Sequence, residues 1–149
     1  MRVATGSHTG RSRRCPWKDG GLKPSPKEIA NERFKETLMD VFKDARQAAV
    51  FAPEKMKKVN LFNTERMFCD VYGLEAGQEQ TGHAHADADK VYFVLDGIGA
   101  FCIGEQERTA GSGHAIWAPA GVSHAVRNPG PARLTLLVFM APNPSARAA

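Results

Sequence analysis

The stretch GQEQTGHAHADADKVYFVLDG, residues 77–97, decides how this chain is read. In a strand, residues i and i+2 point to one side and i+1 to the other. His83 and His85 therefore share a face, with the small Ala84 turned away. Two imidazoles on one strand face suit a single metal ion. A second stretch, GHAIWAPAGVSHAVRN at residues 113–128, adds His124 behind a turn built from Pro119 and Gly121. Pro119 presets its own φ, and Gly121 opens backbone conformations that a Cβ resists. The turn is suited to fixing the approach of a third imidazole from another strand.

Outward from these two stretches, runs of β-branched and aromatic residues punctuated by Gly and Pro predict one strand after another. They fall near residues 48–52, 57–62, 66–74, 80–85, 90–95, 99–103, 107–110, 114–118, 123–127 and 132–140. Strands at this spacing, with turn signals between them, read as an all-β sandwich or barrel. Residues 28–47 are the place for at most one short helix. A chain of 149 residues holds one domain with one core. Cys15, Cys69 and Cys102 are an odd set without metal-site spacing, so a disulfide framework is not expected, and Cys69 and Cys102 read as buried free thiols.

The formal net charge is +4, but it is unevenly placed. Residues 1–38 hold nine Lys or Arg against four Asp or Glu, and the remainder holds eleven against twelve. The basic character belongs to the leader, so nucleic acid is not an expected partner of the domain. The leader is rich in Gly, Ser, Pro and Arg and lacks apolar periodicity, so residues 1–38 are expected to be disordered, with one domain over residues 39–149. A start of translation at Met39 is an alternative: Lys35 and Glu36 are compatible with a purine-rich ribosome-binding sequence just ahead of it, and the intact mass of the native product decides. No apolar run approaches a membrane span or a secretory signal, which makes the cytoplasm the expected compartment and excludes a membrane partner.

At His83, His85, Gly77 and Gly97, and at Gly113, Pro119, Gly121, His124 and Asn128, the chain resembles the cupin superfamily. The resemblance implies a jelly-roll barrel, the double-stranded β-helix, with a metal held by His83, His85 and His124. One position departs: where the family usually has a glutamate, this chain has Lys90. A charged ammonium about 4 Å from a divalent ion is opposed by several kcal/mol at an effective dielectric near 20. The expected fate of Lys90 is therefore to swing away and pair with Asp87 or Asp89, leaving three histidines with open metal positions. Three alternatives stay open: Lys90 binds an anionic substrate beside the metal, acts as a deprotonated base, or marks a site that has lost its metal. Asp87, on the same face as His83 and His85 if the strand continues, is a candidate fourth ligand. If Lys90 points inward, Tyr92 and Val94 do too, and Tyr92 joins Lys90 as a residue that orients substrate. His114, beside Gly113, reads as a surface histidine, while Phe101, Trp117 and Phe139 read as core or subunit contacts.

Imidazole ligands with open positions suit Fe, Mn, Ni, Cu or Zn in the divalent state. The resemblance implies dioxygenase-like or related lyase chemistry on a small anionic substrate. A non-catalytic module for a carboxylate, phosphate or sugar is the first alternative, and a sugar or sugar-phosphate isomerase with Lys90 or Glu79 as base is the second. The resemblance also implies a homodimer, and the apolar final strand from Leu134 to Met140 is compatible with one.

Overall fold

The computed structural model describes residues 25–27 and 41–148. Apart from residues 25–27, the expected disordered leader lies outside the described residues, as does most of the candidate helix. Nine strands form the fold: β1 (Lys57–Asn63), β2 (Phe68–Leu74), β3 (Glu79–His83), β4 (Asp89–Asp96), β5 (Ile98–Ile103), β6 (Gln106–Gly111), β7 (Ala115–Ala118), β8 (His124–Arg127) and β9 (Leu134–Ala141). A short 3-10 turn, Pro144–Ala148, follows them. Five strands make one antiparallel sheet in the order β1-β2-β9-β4-β7, and four make the other in the order β3-β8-β5-β6.

Period-two patterning puts the core between the sheets. On β4, Lys90, Tyr92 and Val94 are buried while Val91, Phe93 and Leu95 are half-buried on the other face. Leu134, Leu136, Val138 and Met140 form the matching inner row of β9. Phe101 of β5 and Val126 of β8 join the same cluster from the smaller sheet, so the two inner faces close on one core. This is the double-stranded β-helix of a jelly roll.

The expected strand at 48–52 does not form, and the part of the candidate helix that is described, residues 41–47, carries only a turn. Instead, Ala45, Ala48 and Ala49 pack on Leu61, Cys69 and Val71, on the outer face of the larger sheet. Gly73 explains the crossing: a Cβ there would collide with the Val50 carbonyl, so its absence lets this segment lie directly on β2. Gln78 then fixes the segment's end by donating from Nε2 to the Ala52 carbonyl at 2.7 Å. Residues that lie across a sheet face have no ladder to join, which is why a run with strand composition stays irregular.

Gly97 carries the chain from β4 in one sheet to β5 in the other with a φ of 83°, in the left-handed region that favours glycine. A Cβ at this position would also run into the Arg133 carbonyl. Gly97→Ala is therefore expected to lower stability by about 1–3 kcal/mol, read as a lower urea midpoint with an unchanged slope. A midpoint equal to that of the unsubstituted protein would refute the strain argument.

Candidate metal centre

His83 closes β3 and His124 opens β8, and the two are register partners across the smaller sheet. A shift of register between Gln80 and His83 reaches this pairing, so the two histidines sit at a bulge. His85 lies just past β3, and its carbonyl accepts a hydrogen bond from Gly121 N–H at 2.8 Å. Gly121 has a φ of 77°, so the Pro119–Gly121 turn that precedes His124 also clamps the segment that carries His85. The two stretches that open the sequence reading are thus locked to each other by backbone.

The imidazoles converge. Ring centroids are 4.5 Å apart for His83 and His124, 5.0 Å for His83 and His85, and 5.5 Å for His85 and His124. One nitrogen from each lies within 4.8 Å of the others. Nδ1 of His83 lies 2.8 Å from the Thr81 carbonyl, and Nδ1 of His124 lies 3.0 Å from the Val122 carbonyl. A carbonyl only accepts, so each Nδ1 carries the proton and each Nε2 is left with its lone pair. His124 is 2% exposed, and its buried Nε2 has no hydrogen-bond partner among the described residues. A buried acceptor without a partner is costly, and a divalent ion is the group that this donor set fits.

Electrostatics keeps the ring nitrogens available. Burial, aided by the charges of Lys90, His83 and His85, pulls His124 down to about 4, against a smaller opposing effect of its bond to Val122. His85 is also lowered, chiefly by burial and then by His83, Lys90 and Lys58. Neutral imidazole is the ligating form.

Lys90 does not swing away. It is 1% exposed on the inner face of β4, and its Nζ donates to Gln80 Oε1 at 3.1 Å. Asp89 is engaged elsewhere, accepting from Ala120 N–H at 2.9 Å, so it braces the Pro119–Gly121 turn instead of pairing with the lysine. Asp87 is exposed beside His85 and is not part of the three-histidine group. Tyr92 faces inward as the strand phase requires, donating to the same Gln80 oxygen at 2.8 Å, with its ring 6.1 Å from that of His124. Glu79 is exposed, on the strand position next to buried Gln80, and lies outside the histidine group. His114 is exposed, Phe101 is core, and Trp117 and Phe139 are exposed at 61% and 37%.

Three residues escaped the sequence reading. Gln80 is the hydrogen-bond centre of the inner face, joining Lys90, Tyr92 and Tyr72. Tyr72 of β2 is fully enclosed, and its ring lies 5.5 Å from the Lys90 ammonium and 4.8 Å from that of Lys58. Lys58 of β1 is the third. The alternation of Lys58 with Val59 and of Tyr72 with Val71 was a usable signal for a shared inner face; the all-polar run Glu79–Gly82 gave none for Gln80.

Among the described residues, no helix is long and apolar enough to cross a membrane. A sequence profile of the family described as "Cupin domain" matches residues 71–140. The chain is similar to the crystal structure of the protein TT1209 from Thermus thermophilus, at 44% identity and a TM-score of 0.68, over 69% of this chain and 98% of that one. An uncharacterized protein of Streptomyces coelicolor is 33% identical over 76 residues, which is 51% of this chain and 71% of that protein. The fold is also that of a predicted oxalate decarboxylase from Thermotoga maritima, at 16% identity and a TM-score of 0.61, over 69% of this chain and 100% of that one.

Proposed function

The chain belongs to the cupin superfamily, and on that premise we propose that it holds one divalent transition metal through His83, His85 and His124. Held there, the ion would supply dioxygenase-like or related lyase chemistry toward a small anionic substrate. The observation that carries this reading is the buried, unpartnered Nε2 of His124 beside two further imidazoles. Bound there, a divalent ion supplies Lewis acidity and open positions for substrate. Three neutral imidazoles leave its charge intact, so an enolate, thiolate or carboxylate is attracted to the site.

The chain's own residues do the rest. Lys90, on the inner face with Tyr92, supplies a cation that orients an anionic group. The Tyr92 hydroxyl, held by Gln80 Oε1, is a fixed donor whose burial pushes its own ionisation upward, so it stays protonated. Phe101 packs against Tyr92 at a centroid distance of 5.6 Å and keeps that side of the inner face free of water.

The test is elemental analysis of tag-free protein followed by dioxygen uptake with a panel of small thiols, diketones and carboxylates. One equivalent of a transition metal, with metal-dependent turnover of a panel member, supports the reading. Protein that refuses added Fe(II), Mn(II) and Zn(II) overturns it. Lys90 favours a second reading, a non-catalytic anion-binding module, because it is buried on the inner face of the chain's own β4 and an anion beside it would favour its charged form. Ligand stabilisation that survives chelation, without turnover, marks that case.

A further inference from the structure

On the metal-centre reading above, we infer that the substrate carries two anionic groups, one for the ion that His83, His85 and His124 would hold and the other for Lys58 and Lys90, whose ammonium groups gather at Tyr72. The sheets end on one side in the edge strands β1 and β3. Lys58 lies on the first of these edges and Gln80 on the second. Lys90 is on the inner face of β4, and the Lys58 and Lys90 ammonium groups are 4.8 Å and 5.5 Å from the same Tyr72 centroid. Two cations drawn to one aromatic side chain repel each other, and Lys58 opposes the charged form of Lys90. An anionic group set between exposed Lys58 and buried Lys90 would be drawn by both charges.

The protein's own anion does not fill that need. Asp70, in the inner phase of β2 with Tyr72, is the carboxylate that bears favourably on Lys90. One of its oxygens already accepts from Asn60 Nδ2 at 2.7 Å, and a single carboxylate set against two ammonium groups leaves one positive charge in excess. Lys90 otherwise donates to the neutral Gln80 oxygen, a weaker partner for a buried ammonium than a carboxylate. A monoanion would have to choose between the metal and the lysines. A short dicarboxylate, or a carboxylate bearing an enolate or phosphate, satisfies both. The chemistry selects on the second charge, with Lys58 as the specificity residue because it stands at the open edge.

The experiment measures binding of malonate, succinate and glutarate against acetate, propionate and butyrate by calorimetry. It uses metal-loaded protein and the variants Lys58→Gln and Lys57→Gln, with metal equivalents determined for each. The expected result is a preference of at least about tenfold for one dicarboxylate over its monocarboxylate, lost in Lys58→Gln and kept in Lys57→Gln at unchanged metal content. Lys57, one position along β1 on the opposite phase, reports general charge loss alone. No preference in the unsubstituted protein, or equal loss in both variants, overturns the clamp while leaving the metal reading intact. Absence of metal in the unsubstituted protein overturns both, and the elemental analysis tells the two failures apart.

Discussion

His124→Ala protein is expected to lose stoichiometric metal, with affinity down by at least about 100-fold, while His114→Ala keeps it. Outer-shell partners alone are worth about 10- to 100-fold in metal affinity, so removal of a ligand costs no less than the upper end of that range. His124 is placed to be the anchor of the three. It is almost wholly buried, its Nδ1 proton is committed to the Val122 carbonyl, and its Nε2 has no partner among the described residues. Burial holds its proton affinity low, down to about 4, so at neutral pH the lone pair is free without a proton to displace. The loss of metal is not a loss of fold, because the alanine variant also removes a buried acceptor that the metal-free protein leaves unpaired, which offsets part of the cavity it creates. His114 is exposed, with its Nδ1 2.9 Å from the Gly111 carbonyl, and serves as the matched control. The readout is elemental analysis after loading and desalting, beside thermal melts with a chelator. A His124→Ala protein that retains one equivalent as tightly as the unsubstituted chain would remove the metal centre from consideration.

The barrel and the shared face of His83 and His85 were legible from strand alternation, whereas the arrival of His124 from another strand was legible only through the resemblance to cupins. Strand alternation put His83 and His85 on one face and Lys90, Tyr92 and Val94 in one phase, and the structure keeps that phase along β4. The fate of the Lys90 tip was not legible. Alternation fixes where a side chain leaves the backbone, while the acceptor it finds depends on Gln80, which comes from the other sheet. Nearby acids looked like the natural partners, but Asp89 had a stronger claim on it from the Ala120 N–H of the turn. Ala48–Ala52 failed for a different reason. Composition marks a run that tolerates an extended backbone, and only the close approach at Gly73 shows that the run crosses a sheet face where no edge is offered. Lys58 could have been paired with Tyr72 only through the β1–β2 register, which a bulge between Asn60 and Phe62 interrupts.

Lys90→Met is expected to make the metal-free protein more stable, by roughly 3–5 kcal/mol at or below neutral pH. Burial drives the Lys90 ammonium down from 10.5 to about 7, with Lys58 pushing the same way and Asp70 opposing. The unfolded chain keeps its proton up to the ordinary lysine value, so between about pH 7 and 10.5 the unfolded state binds more protons than the native state. Stability of the unsubstituted protein therefore rises with pH across that window. Below it the full cost of the buried charge is present, and above it the amine is neutral in both states and the cost is gone. Methionine has a similar length, no charge and enough flexibility to fill the space beside Tyr72 and Tyr92, and Gln80 Oε1 still receives the Tyr92 hydroxyl. The melting temperature should rise on the order of 10 °C at pH 6 to 7, and the gap should close as pH approaches 10.5. Cys69, whose thiol burial pushes up to about 11, weakens the fold at alkaline pH in both proteins, so the difference between them isolates the lysine. A variant that melts at or below the unsubstituted protein at pH 7, or a gap that ignores pH, would show that Lys90 is stabilised by contacts stronger than its burial. The gain in stability should come with a loss of anion binding, since the charge that burdens the empty fold is the one that holds the ligand.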